Sequence, residues 1–107
     1  MSGNALDQIE RKLQQAQGLD AGTREELLTL VTHLKSEMEM LGDEHAESIA
    51  GFAGAATHEA MRSERNPDLL EHAVLGLSGS VKELEAEHPR TVEIVNGICT
   101  MLSNLGI

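Results

Sequence analysis

A chain of 107 residues is one domain at most, and its lone aromatic residue, Phe52, leaves little material for the strands of a sandwich or barrel. The formal charge is −10, from 18 acids against 8 bases, and the bases are scattered beside acids, so a surface for nucleic acid is not expected. The single cysteine, Cys99, excludes an internal disulfide framework.

The chain opens with Ser2 or Asn4 able to cap a helix over residues 5–17, whose apolar row is Leu6, Ile9, Leu13 and Ala16. Asp7, Glu10, Arg11 and Lys12 interrupt that row, so it does not read as a secretory leader. No unbroken apolar run approaches membrane-spanning length either, and the expectation is a cytoplasmic protein with no membrane role. Gly18 is placed to end the helix in the left-handed conformation. Thr23 and Glu26 then form a capping box for a second helix reaching residue 41, with Leu27, Val31, Leu34, Met38 and Leu41 in a row and Gly42 closing it. So short a connection predicts an antiparallel hairpin over residues 1–42.

Residues 43–66 read as a Gly- and Ala-rich helical insertion capped by Asp43, with Ile49, Phe52, Ala56 and Ala60 at helical spacing. Gly51 and Gly54 thin its seam, and the competing reading is a mobile segment between two hairpins. Asn66-Pro67-Asp68 restarts the chain: Asn at the cap, Pro in the first turn, an acid near the positive dipole end. Leu70, Val74, Leu77, Val81 and Leu84 form a third row on a helix expected to continue to about residue 87, where His88-Pro89 breaks it. A last helix carries Val92, Val95, Ile98, Leu102 and Leu105 and ends at Gly106. Residues 67–107 thus form a C-terminal helix pair, and residues 1–107 a single helical domain.

Rows at alternating spacings of three and four put one narrow seam on each helix, which buries only against another helix. The fold class is all-α, with antiparallel helical hairpins forming a small bundle or a coiled-coil-like assembly. Because narrow seams on a small chain bury limited area, self-association, with a dimer favoured, is expected to complete the core.

Reactive groupings are sparse. Glu85 and His88 have the Glu-x-x-His spacing of carboxylate-bridged di-iron bundles, but only one such pair exists and His88 sits at the break before Pro89. His33 with Glu37, and His45 with Asp43 or Glu44, are the neighbours that a Glu-rich surface supplies by chance. His58-Glu59 lacks the second histidine of a zinc motif, residue 62 being Arg62. Ser78 and Ser80 flank Gly79 without a nucleophile elbow, and Cys99 has no histidine near it in sequence. Gly51, Gly54, Gly76 and Gly79 form no phosphate loop, and close helix packing is the better account of them. No catalytic residue, cofactor site or metal site is assigned.

The most distinctive stretches are Ser80-Val81-Lys82-Glu83-Leu84-Glu85-Ala86-Glu87-His88-Pro89-Arg90 and Ile98-Cys99-Thr100-Met101-Leu102-Ser103-Asn104-Leu105-Gly106-Ile107. Together they resemble a family of short bacterial helical proteins known only as a domain of unknown function, with a Glu-x-x-His-Pro break and a Leu-x-Asn-x-Gly-Ile ending. The resemblance covers about the last third of the chain and implies a bacterial cytoplasmic helical protein, with residues 43–65 as an insertion that shorter relatives lack. It transfers no activity, cofactor or catalytic residue. The expectation is a non-enzymatic, self-associating helical interaction or scaffold protein, with an unidentified protein partner as a further possibility. The competing class is a metal- or small-ligand-binding bundle using His and Glu side chains.

Overall fold

The computed structural model describes residues 2–105, and their side chains from Ala5 onward. Five α-helices make up the fold: α1 Ser2–Gln15, α2 Ala21–Met38, α3 Asp43–Ala60, α4 Pro67–Ser80 and α5 Pro89–Leu105. A 3-10 turn, Lys82–Leu84, joins the last two, and there is no strand among the described residues. The architecture is a small all-α bundle.

The helices start and stop for identifiable reasons. At α2 the cap is Asp20 rather than Thr23: its carboxylate accepts from the backbone N–H of Gly22 at 3.1 Å and of Thr23 at 3.2 Å. Aspartate two and three residues ahead of those orphan donors reaches both, which leaves Thr23 inside the first turn. α1 ends at Gln15, before Gly18, and no glycine has positive φ among the described residues. The Arg24 guanidinium replaces the glycine cap, donating to the carbonyls of Leu13 (3.0 Å), Ala16 and Leu19 (3.4 Å). Gly42 does not close α2, which stops at Met38; instead Gly42, in extended backbone, precedes α3, so Asp43 is the first helical residue rather than the cap. Asn66 caps α4 as its residue type predicts, accepting from Asp68 and Leu69 N–H at 3.0 and 3.2 Å, with Pro67 in the first turn. The caps expected of Ser2, Asn4 and Gly106 lie outside the described side chains and residues.

α4 is shorter than its apolar row. It ends at Ser80, whose hydroxyl donates back to the Leu77 carbonyl at 2.6 Å, and a 3-10 turn then carries Leu84. Both Val81 and Leu84 are buried, so the tighter turn keeps the row facing inward where an α-helix interrupted by two glycines gives out.

Going round the bundle, the helices pack in the order α1, α2, α5, α4, α3 and back to α1. The α1–α2 hairpin is antiparallel, since Lys35 meets Asp7 at 2.6 Å while Arg24 meets the Leu13 carbonyl. α3 is the piece that closes the ring. It presents Ala46, Ile49, Ala50, Ala53, Ala56, Thr57 and Ala60 as its buried set, small enough to sit against α1, α4 and α5 together. One connected core results, and the radius of gyration of 12.7 Å is that of a single body of this length, about 13 Å.

That closure bears on the seams. Leu27, Val31, Leu34, Met38, Leu70, Leu77, Val81, Leu84, Val95, Ile98 and Leu102 are buried within one chain, and Leu41, Val74, Val92 and Leu105 are partly buried against the same core. The premise that a second copy is needed to finish the core therefore does not hold. Phe52 departs from the expected α3 row: it is 43% exposed, while Ile49, Ala56 and Ala60 are buried.

Candidate functional site

The residues first considered for chemistry are kept apart by the fold or engaged elsewhere. Glu37 lies against α5, with the Arg90 guanidinium at 3.6 Å and the Thr91 hydroxyl donating to it at 3.4 Å, so it is tied to helix packing rather than to exposed His33. Glu59 pairs with Arg62 at 3.0 Å, not with His58. Glu85 lies in the turn that precedes α5, outside any helix, and the His88 N–H closes that turn on the Leu84 carbonyl at 2.7 Å. Among the described residues no three His, Cys, Asp or Glu side chains gather as ion ligands. Cys99 is buried with its thiol directed at the Val74 carbonyl, 3.7 Å away, and burial pushes its pKa up, which lowers its nucleophilicity at neutral pH.

The outer face of α3 and α4 is different. Phe52 projects from α3 onto α4, where its ring lies over Gly76: a Cβ on that glycine would stand 2.6 Å from two ring carbons. Of the four glycines expected to serve close helix packing, only Gly76 does so; around Gly51, Gly54 and Gly79 the space is open. On α4, Leu75 is 60% exposed and Leu69 44%. Leu69 is two turns from Gly76 and so on the side of α4 where the Phe52 ring lies, whereas Leu75, adjacent to Gly76 in sequence, points about 100° further round the helix, away from the core. Single exposed leucines are ordinary; a part-exposed aromatic ring seated on a glycine of the neighbouring helix is the more informative feature.

The two helices themselves carry fixed charge of one sign. α3 and α4 carry Asp43, Glu44, Glu47, Glu59, Asp68 and Glu71 and no lysine or arginine. No helix is long and apolar enough to cross a membrane among the described residues. Helical periodicity anticipated a buried Phe52, but it falls at the edge of the arc spanned by the buried residues of α3 and lies across Gly76 of α4 instead. A second feature was invisible in sequence. Lys12, Arg62 and Arg65, widely separated along the chain, line one cleft where α1 and α3 end together.

Compared with protein-family models, with curated proteins and with solved structures, the chain finds no match.

Proposed function

We propose that this chain is a non-enzymatic helical interaction protein whose outer α3–α4 face docks a basic amphipathic helix of a partner protein. The observation that carries this reading is the exposure of the chain's only aromatic side chain, Phe52, where it lies across Gly76 of α4, on two helices whose fixed charges are all acidic. Two packed helices offer a groove to a third, an apolar stripe supplies affinity, and Lys or Arg flanking that stripe meets the carboxylates. A second copy seated on this face would bring together two pairs of helices that carry acids and no Lys or Arg. Buried Cys99 suits a reducing setting such as the cytoplasm.

The test uses two synthetic amphipathic peptides of about twenty residues, one of Leu and Lys and one of Leu and Glu, titrated into the isotope-labelled chain. The Leu/Lys peptide is expected to shift amides around Phe52, Leu75 and Gly76, and the Phe52→Ser/Leu75→Ser variant to weaken it at least about tenfold. Equal binding of both peptides, or shifts scattered over the surface, overturns the reading. So does a concentration-dependent mass that covers this face with a second copy.

A further inference from the structure

At the end of the bundle where α1 and α3 finish, a cleft of about 390 Å3 opens between the α1–α2 connection and the α3–α4 connection. Lys12, His58, Arg62 and Arg65 line it, over an apolar floor of Ala16, Leu19 and Met61. The chain has 18 acids and 8 Lys or Arg residues, yet three of those bases and none of the described acids form this wall. Such a local reversal of sign, inside a molecule of net charge −10, sets the cleft apart from the rest of the surface.

Basic side chains near helix C-termini often serve only the carbonyl ends. Here that role is largely filled. Arg24, outside the cleft, takes the Leu13, Ala16 and Leu19 carbonyls at the end of α1, so Lys12 is not needed there. At the end of α3 the Arg65 Nε donates to the Ala60 carbonyl at 2.9 Å, which fixes the guanidinium and leaves its two terminal nitrogens for another acceptor. Arg62 gives one nitrogen to Glu59 at 3.0 Å. Lys12 and Arg65 form no ion pair among the described residues. Three cations less the Glu59 carboxylate and about half a negative charge at each of the two helix C-termini leave about +1 at the cleft.

We propose that this cleft binds a small organic phosphate: a phosphomonoester whose dianion faces Lys12, Arg62 and Arg65 and whose organic body rests on Leu19 and Met61. A phosphomonoester carries about −1.5 to −2 at neutral pH and three acceptor oxygens, which suits two planar guanidinium donors and one ammonium. The volume falls in the range of small-molecule sites, about 300–1,000 Å3, and the mixture of apolar floor and few convergent donors is that of a binding cleft. This site uses none of Phe52, Leu69 or Leu75, so it stands or falls apart from the docking face.

The experiment titrates phenyl phosphate, inorganic phosphate and phenol separately into the isotope-labelled full chain at constant ionic strength. Phenyl phosphate is expected to give saturable shifts confined to amides of residues 12–19 and 58–65, and to bind more tightly than either half of the molecule. The Lys12→Gln/Arg62→Gln variant is expected to keep its circular dichroism spectrum and to bind at least about tenfold more weakly. Lys12→Gln alone, on an exposed side chain, is expected to cost about threefold, and it keeps the test open should the double variant fold poorly. Unchanged affinity in these variants overturns the assignment. So do shifts that follow Lys35, Lys82 and Arg90 as strongly as the cleft, because general ion screening would produce them.

Discussion

The Phe52 ring occupies the volume that a side chain at residue 76 would need, with two ring carbons 2.6 Å from where the Gly76 Cβ would stand. Gly76 is therefore not interchangeable with Gly51 and Gly79, whose Cβ positions are open. In a helix interior glycine costs about 0.5–1 kcal/mol against alanine through backbone entropy. Gly51→Ala, in the middle of α3, is expected to raise stability by about that amount, and Gly79→Ala, in the last turn of α4, by somewhat less, measured by urea unfolding. Gly76→Ala has to expel the ring, and is expected to fall about 1 kcal/mol below Gly79→Ala while exposing Phe52 further.

The position of the α2 cap is open to a direct comparison. Asp20→Ala removes the acceptor for two backbone N–H groups and is expected to cost about 1 kcal/mol. Thr23→Ala, at a residue already inside the helix, is expected to change stability by less than about 0.5 kcal/mol. A larger loss at Thr23 than at Asp20 would restore the capping box read from sequence.

Between α1 and α2, Lys35 donates to Asp7 at 2.6 Å and to Glu10 at 3.0 Å. The hydrogen bond from Lys35 holds the Asp7 carboxyl below its ordinary value of 3.8, while Asp7 and Glu10 hold the Lys35 ammonium above its ordinary 10.5. A lowered carboxylate contributes stability that is complete above its unfolded pKa and lost as pH falls through its folded one. A raised ammonium contributes below its unfolded pKa and loses that contribution as pH rises through its folded one. This pairing is thus expected to be constant across neutral pH and to fade at both extremes. The groups are solvated, so the effect is small and sensitive to salt. Melting temperatures followed from about pH 6 down to about pH 2 should fall less steeply in Lys35→Met than in the parent.

Much of this architecture is legible in the residues. Leu6, Ile9 and Leu13 on α1, and Leu27, Val31, Leu34 and Met38 on α2, recur at helical spacing and are buried. Asn66-Pro67 restarts the chain where residue chemistry says it should. Legibility fails where tertiary neighbours decide. α3 is wedged among α1, α4 and α5, so its buried set includes Ala46, Ala50 and Ala53, and the bulkiest side chain in its apparent row is displaced to the surface. Small residues on several sides of a helix do not define one face. Nor does spacing show that α1 and α3 end side by side, which is what gathers Lys12, Arg62 and Arg65.

Leu34 and Leu77 are both fully buried, on α2 and α4. Truncating either to alanine is expected to cost about 2–5 kcal/mol, and aspartate at either place to abolish the fold, because a buried unpaired charge is costlier still. Circular dichroism with light scattering checks this. Loss of helicity is the expected outcome of the aspartate variants; a folded species of lower mass would mean that these rows join separate chains.

The claim beneath all of this is that four apolar rows and an alanine-faced α3 close a complete core inside one chain. It is tested most directly by urea unfolding followed over an approximately hundredfold range of protein concentration. The closed ring predicts one cooperative transition whose midpoint does not move, from a folded species of 11.5 kDa. A midpoint that climbs with concentration, as for a dimer whose unfolding releases two chains, would contradict it.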